Sequence, residues 1–182
     1  MSSKHTYAST LSPEYLLLGL LIQEPAHGYR LHQRITTDLG QIWRISLSQV
    51  YNILKRMETH GFIVGQIQEQ VGTPARRHFE ATPIGIKRFE EWLYTPSGSS
   101  VRAIRVEFIT RLYFALAKNK EDARHLIDEQ IVESHKRLEL LKGALEILPL
   151  DQAFNRLALE LRVRQLESIL DWLPQCKTML GL

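Results

Sequence analysis

The hydrophobic pattern changes period after Gly61 and changes back at Thr82, and this switch limits the folds open to the chain. Ahead of it lie three helical segments. Ser12-Pro13-Glu14 opens the first, with an N-cap hydroxyl, a proline at the first helical position and an acid at the positive dipole end. Residues 15–22 are apolar nearly all round, which demands a buried helix, and Pro25 stops it. The second runs from about His27 to Leu39, with Tyr29, Leu31 and Ile35 as apolar contacts and Arg30, Gln33 and Arg34 turned to water. Gly40 is its expected C-terminal cap. The third opens at Ser46, where Gln49 completes a capping box, and Gly61 closes it.

Within the switch, residues 62–68 are rich in β-branched side chains, and residues 77–81 make a second strand. Between them, Gln70-Val71-Gly72-Thr73-Pro74 has turn chemistry, which predicts a hairpin with a loop of several residues. Thr82-Pro83 starts a fourth helix carrying Phe89, Trp92 and Leu93. Helix, helix, helix, hairpin, helix is the order of a winged helix-turn-helix, assigned to residues 11–94. In that fold the third helix is offered to the major groove and the hairpin to the DNA backbone.

Thr95-Pro96-Ser97-Gly98-Ser99-Ser100 reads as a linker by its Pro, Gly and Ser content. Beyond it the pattern is helical throughout, and residues 101–176 are assigned to a helical dimerisation domain. One helix spans about 101–117, and Asn119 caps the next, which runs to Leu148. Pro149 breaks that helix, Asp151 caps the last, and Pro174 ends it. Ile131, Leu138, Leu141, Leu145 and Leu148 form one stripe, with Ser134 in the missing place. Leu159, Val163, Leu166, Leu170 and Leu173 form another, a spacing suited to supercoiled helix packing. The fold class is mainly α with a small β-hairpin wing.

Composition supports a globular chain, with 44% hydrophobic and 24% charged residues. The net charge is only +3, so the arrangement of the basic residues matters more than their number. Cys176 is the single cysteine, which excludes an intrachain disulfide or a thiolate zinc site, and the histidines lack metal-ligand spacing. No metal, cofactor or catalytic set is assigned. The start has no secretory pattern and no apolar run spans a bilayer, so the expected location is the cytoplasm.

On the third helix, Val50, Leu54 and Met57 share an inward face. Gln49, Asn52 and Arg56 share another, with Ser48 and Lys55 beside them. Gln and Asn suit adenine edges and Arg suits guanine edges or phosphates, so this face is the expected site of base readout. Arg76 and Arg77 lie in the wing and alternate sides of a strand, so one faces a phosphate while the other is left to pair with an acid. The competing reading is a winged-helix protein-interaction adapter that does not bind DNA.

Leu17-Leu18-Gly19-Leu20-Leu21, Pro25, His27-Gly28-Tyr29, Trp43-Arg44-Ile45-Ser46, Val50-Tyr51, Leu54-Lys55-Arg56-Met57-Glu58, Gly61-Phe62-Ile63 and Arg76-Arg77-His78-Phe79 together resemble the amino-terminal signature of the PadR family of transcriptional regulators. The helical remainder resembles the longer PadR subfamily, a region also found in virulence-gene activators. The resemblance implies a homodimer on a roughly palindromic operator of double-stranded DNA, usually acting as a repressor. It implies DNA-contacting roles for Tyr51 and Tyr29 as well. Some relatives respond to small aromatic molecules, which makes Trp43, Trp92 and Trp172 the candidate walls of an effector site.

Overall fold

The computed structural model describes the backbone of residues 12–70 and 73–182, and the side chains of residues 12–67 and 77–182. These residues form two compact units that divide between Thr95 and Pro96.

The first unit contains α1 (Pro13–Gln23), β1 (Ala26–His27), α2 (Gly28–Leu39), α3 (Leu47–Thr59), β2 (Ile63–Gln70), β3 (Thr73–Ala81) and α4 (Pro83–Leu93). Local chemistry sets the helix starts. Ser12 Oγ accepts from the Glu14 N–H, Ser46 caps α3 in a two-way capping box with Gln49, and Thr82 caps α4 ahead of Pro83. As its all-round apolar run requires, α1 is buried from Glu14 to Leu21. Leu31, Ile35, Val50, Leu54, Met57 and Ile63 pack in the same core. Each large apolar side chain so buried contributes about 1.5–3 kcal/mol.

Gly61 ends α3 in a left-handed conformation at φ +72°. The Phe62 N–H bonds to Met57 O at 3.0 Å and the Gly61 N–H to Glu58 O at 2.9 Å, the paired bonds of a Schellman motif. The chain therefore turns out of α3 directly into β2. Gly40 differs from expectation: at φ −63° it stays right-handed, so α2 ends without a left-handed cap.

The strands form one antiparallel sheet in the order β1-β3-β2. The sequence reading missed β1, which pairs Ala26 with Phe79 and His27 with His78. The hairpin also corrects the expected loop. Gln70 pairs with Thr73, so two residues separate the strands, and a register irregularity between Gln68 and Gln70 absorbs the mismatch. Pro74, read as part of the turn, stands in β3 beyond the short reach of β1, where its missing N–H is tolerated.

The second unit contains α5 (Val101–Ala103), a π-helical turn (Ile104–Phe108), α6 (Ile109–Lys118), α7 (Lys120–Ile147) and α8 (Ala153–Leu180). Asn119 caps α7, its Oδ1 accepting from the Asp122 N–H at 2.7 Å. Asp151 does not cap α8; Gln152 holds the N-cap position, and its Oε1 accepts from the Asn155 side chain rather than from a helix N–H. Pro174 does not end α8 either. The helix runs six residues past it to Leu180, because Leu173 and Cys176 on either side are buried in the core with Phe108, Leu112 and Ile127. Leu138 and Leu141 of α7 meet Val163, Leu166 and Leu170 of α8, so the two predicted stripes pack on each other within one chain. The boundary between the units falls within the expected linker of residues 95–100, where Ser97 is buried and bonded to Gln130 of the second unit.

Candidate nucleic-acid interface

Amphipathicity orients α3. Val50, Ile53, Leu54 and Met57 face the core, while Ser48, Gln49, Tyr51, Asn52, Lys55 and Arg56 are exposed. These six share a helix face, but they are not equivalent.

Two of them are tied to the protein. Gln49 Oε1 accepts from the Ser46 N–H at 2.8 Å, so the capping box holds half of its amide. Arg56 Nε donates to Glu14 Oε1 at 2.5 Å. The Glu14 side chain is only 8% exposed, and a buried carboxylate needs such a counter-charge. Arg56 therefore joins α3 to α1.

Ser48, Asn52 and Lys55 make no side-chain hydrogen bond or ion pair with described residues, so their donors and acceptors are open to a ligand. Beside them, the Tyr51 ring lies against Gly28, where a Cβ would come within 2.6 Å of its Cε1. The missing side chain at residue 28 makes room for the ring, which is 47% exposed. Tyr29 on α2 is exposed too, with its ring 6.4 Å from that of His27.

In the wing, Arg77 donates to Glu58 Oε1 at 2.6 Å and lies over the Phe79 ring. The same Glu58 oxygen accepts the Gly65 N–H at 3.0 Å, so one carboxylate on α3 holds both strands of the hairpin. Arg77 is thus the wing arginine paired with an acid; the Arg76 side chain lies outside the described residues. Arg44 was not singled out as a candidate site residue by the sequence reading. It is exposed two residues before the α3 cap, with no bonded partner among described residues, and its place in Trp43-Arg44-Ile45-Ser46 was the available signal.

Residues 17–91 match the model of the Transcriptional regulator PadR-like family, and residues 104–181 match Virulence activator alpha C-term. The chain thus carries a PadR-like family domain followed by a virulence-activator C-terminal domain. The Bacillus subtilis negative transcriptional regulator PadR is 28% identical over 74% of this chain and 74% of its own length. A probable transcriptional regulator of Mycobacterium tuberculosis is 24% identical over 88% of this chain and 93% of its own. A crystal structure of B. subtilis PadR in complex with operator DNA aligns with 91% of this chain and 96% of that one, at 24% identity and a TM-score of 0.45.

In this PadR-like chain the three tryptophans have separate surroundings. Trp92 is buried and stacks on Tyr15 at 4.8 Å, Trp172 packs edge-on to Phe108, and Trp43 is half-buried after α2. A cavity of about 420 Å³ in the helical unit is lined by Val101 and Leu141 together with Ser99, Glu133, Arg137 and Arg162, and by no tryptophan. Burial pushes the Cys176 thiol up from its ordinary range, which makes it a poor nucleophile at neutral pH.

Proposed function

We propose that this PadR-like protein is a sequence-specific repressor that binds a palindromic operator as a homodimer in the cytoplasm and is released by a small aromatic effector. One observation carries the DNA reading. Ser48, Asn52 and Lys55 have no bonded partner among the described residues and stand beside Tyr51 on a helix whose other face is locked in the core. A helix so presented fits the major groove, where Asn52 suits an adenine edge and Lys55 a guanine or a phosphate. Arg44 and Arg76 are in position along the sequence to meet backbone phosphates. Gln49 and Arg56 support the face from beneath, by capping and by pairing with Glu14.

Dimerisation is supported by the apolar surface of the helical unit. Ile147, Leu150, Phe154, Leu157 and Leu161 are all more than half exposed, and Phe154 reaches 87%. Phe154, Leu157 and Leu161 follow a spacing of three and four residues, so they share one side of α8. Such a patch is costly in water, and a second copy of the same surface covers it isologously. Two reading heads then address half-sites about 34–36 Å apart, or a multiple of that. The name of the B. subtilis relative supports repression. The effector rests on the family resemblance alone.

Binding-site selection with the purified full-length chain tests this reading, followed by titration of the selected operator and of random DNA. Asn52→Ala is expected to lose about 1–3 kcal/mol on the operator and little on random DNA. Equal losses on both would remove base readout, and no selected sequence at all would favour the adapter. Titration in the presence of small aromatic acids should lower operator affinity; no change with any of them would strike out the effector.

A further inference from the structure

Glu58 stands where two physical effects disfavour an acid. It is the last residue but one of α3, so its carboxylate lies at the negative end of the helix dipole. It also follows Tyr51 and Lys55 on one stripe of the helix, at spacings of four and then three residues. That stripe borders the exposed polar face of α3, where a negative charge repels phosphate.

The contacts of Glu58 supply the offsetting gain. Its Oε1 accepts from the Gly65 N–H of β2 at 3.0 Å and from Arg77 Nη2 of β3 at 2.6 Å. β2 is an edge strand of the sheet, so Glu58 gives the Gly65 N–H an acceptor that no further strand provides. The Arg77 guanidinium lies over the ring of buried Phe79, 5.5 Å from its centre. Position 65 must be glycine for these groups to meet. A Cβ there would lie 2.5 Å from Arg77 Nε, 2.8 Å from Glu58 Oε1 and 3.0 Å from Phe79 Cε1. One carboxylate of the reading helix therefore clasps both strands of the wing, and all the parts of the clasp lie within the reading head.

The clasp also has an electrostatic effect. Side-chain exposure is 26% for Glu58 and 53% for Arg77, so the arginine faces water while its charge is matched by a carboxylate in direct contact. Contacts to phosphate carry no sequence information and supply nearly all non-specific binding. On random DNA a protein settles wherever an unmatched arginine finds a phosphate. On an operator the base contacts fix its place, so the same arginine gains less.

We infer that Glu58 is a specificity-determining residue that acts through the wing: it clasps the hairpin to α3 and masks the charge of Arg77, which lowers binding to random DNA relative to the operator. The effect on specificity rests on the function proposed above; the clasp does not.

Two variants separate the parts. Glu58→Gln keeps a carbonyl for the Gly65 N–H and removes the charge that matches Arg77, whereas Glu58→Ala removes both. Full-length proteins are titrated with the selected operator and with a random duplex of equal length, over a range of salt. On random DNA, Glu58→Gln should steepen the fall of log affinity against log salt by about 0.9, the value for one gained phosphate contact. Affinity for random DNA should rise severalfold, and the operator-to-random ratio should fall. In an Arg77→Ala background the same change should leave slope and ratio nearly as they were. An unchanged slope in Glu58→Gln would overturn the masking, and so would a rise of equal size without Arg77, which is what the loss of any surface acid gives. Amide exchange reads the clasp without DNA. The Gly65 N–H should be protected in the wild type and in Glu58→Gln, and should exchange at least about tenfold faster in Glu58→Ala. An unprotected Gly65 in the wild type, or protection that survives in Glu58→Ala, would overturn the clasp itself. A wild type that binds no DNA but gives the expected exchange would refute the proposed function and leave the clasp standing.

Discussion

The two units handle polarity in opposite ways. In the reading head the core is apolar and aromatic, with Glu14 its one buried charged or polar side chain among the described residues, and the polar side chains gather on the outside of α3 and α2. In the helical unit Ser97, Glu107, Thr110, Arg111, Gln130 and Ser134 are buried, while Leu140, Ile147, Leu150, Phe154, Leu157 and Leu161 face solvent. A unit with an almost wholly apolar core leaves its polar groups for the surface, where Tyr29, Tyr51, Ile67 and Ile84 are exposed among them. A unit that displays leucines and phenylalanine on long helices calls for another apolar surface, and its buried polar groups supply directional contacts that apolar packing lacks.

That contrast can be broken most directly at the exposed apolar patch. Replacing Phe154 and Leu157 together by Asp should convert the protein to monomers in sedimentation and lower operator affinity by about a hundredfold or more, because one head then replaces two. Dimers of full operator affinity would show that the patch has another use. In the reading head the largest effect should come from the lone buried acid. Arg56→Ala leaves Glu14 without its counter-charge and should cost about 1–3 kcal/mol of unfolding free energy in a urea titration. A neutral result would mean that water reaches Glu14 and that the α1–α3 tie is incidental.

Gln49→Ala separates capping from reading. Loss of the capping box should lower stability by about 1 kcal/mol while the base preference of the selected site stays the same. A changed preference would return Gln49 to the reading face as a base contact. The smallest effect concerns the wing. Arg76→Ala should reduce the slope of log affinity against log salt by about 0.9, the value for one lost phosphate contact, whereas Arg77→Ala should leave the slope nearly unchanged because Glu58 already holds that guanidinium. Equal changes for both would mean that Arg77 leaves Glu58 when DNA arrives.

Features written locally in the chain were legible from sequence. Ser12-Pro13, the Ser46–Gln49 capping box, Thr82-Pro83, Asn119 and Gly61 each act within a few residues of themselves, and each stands where the pattern puts it. Features that depend on distant partners were not. The partner of Arg56 is 42 residues away and that of Arg77 is 19 away, so residue type alone could not tell these arginines from free ones. A two-residue strand such as β1 has no period to detect. Pro174 misleads for the same reason: its local cost to a helix is visible, whereas the burial of Leu173 and Cys176 that outweighs it is tertiary. The leucine stripes were legible as a packing surface, but periodicity cannot say whether the matching stripe lies in the same chain, as it does here.

Gly28 and Tyr51 form a lever without a charge in it. The ring of a residue on α3 occupies the volume that any side chain at position 28, on a different helix, would need. A single methyl group added there would swing the tyrosine away from its seat without altering the electrostatics of the surface or any cap. If α3 reads DNA as proposed, position 28 is a mechanical adjustment screw for it: alanine and serine would each displace the ring, and operator affinity would change from a residue that need never touch DNA.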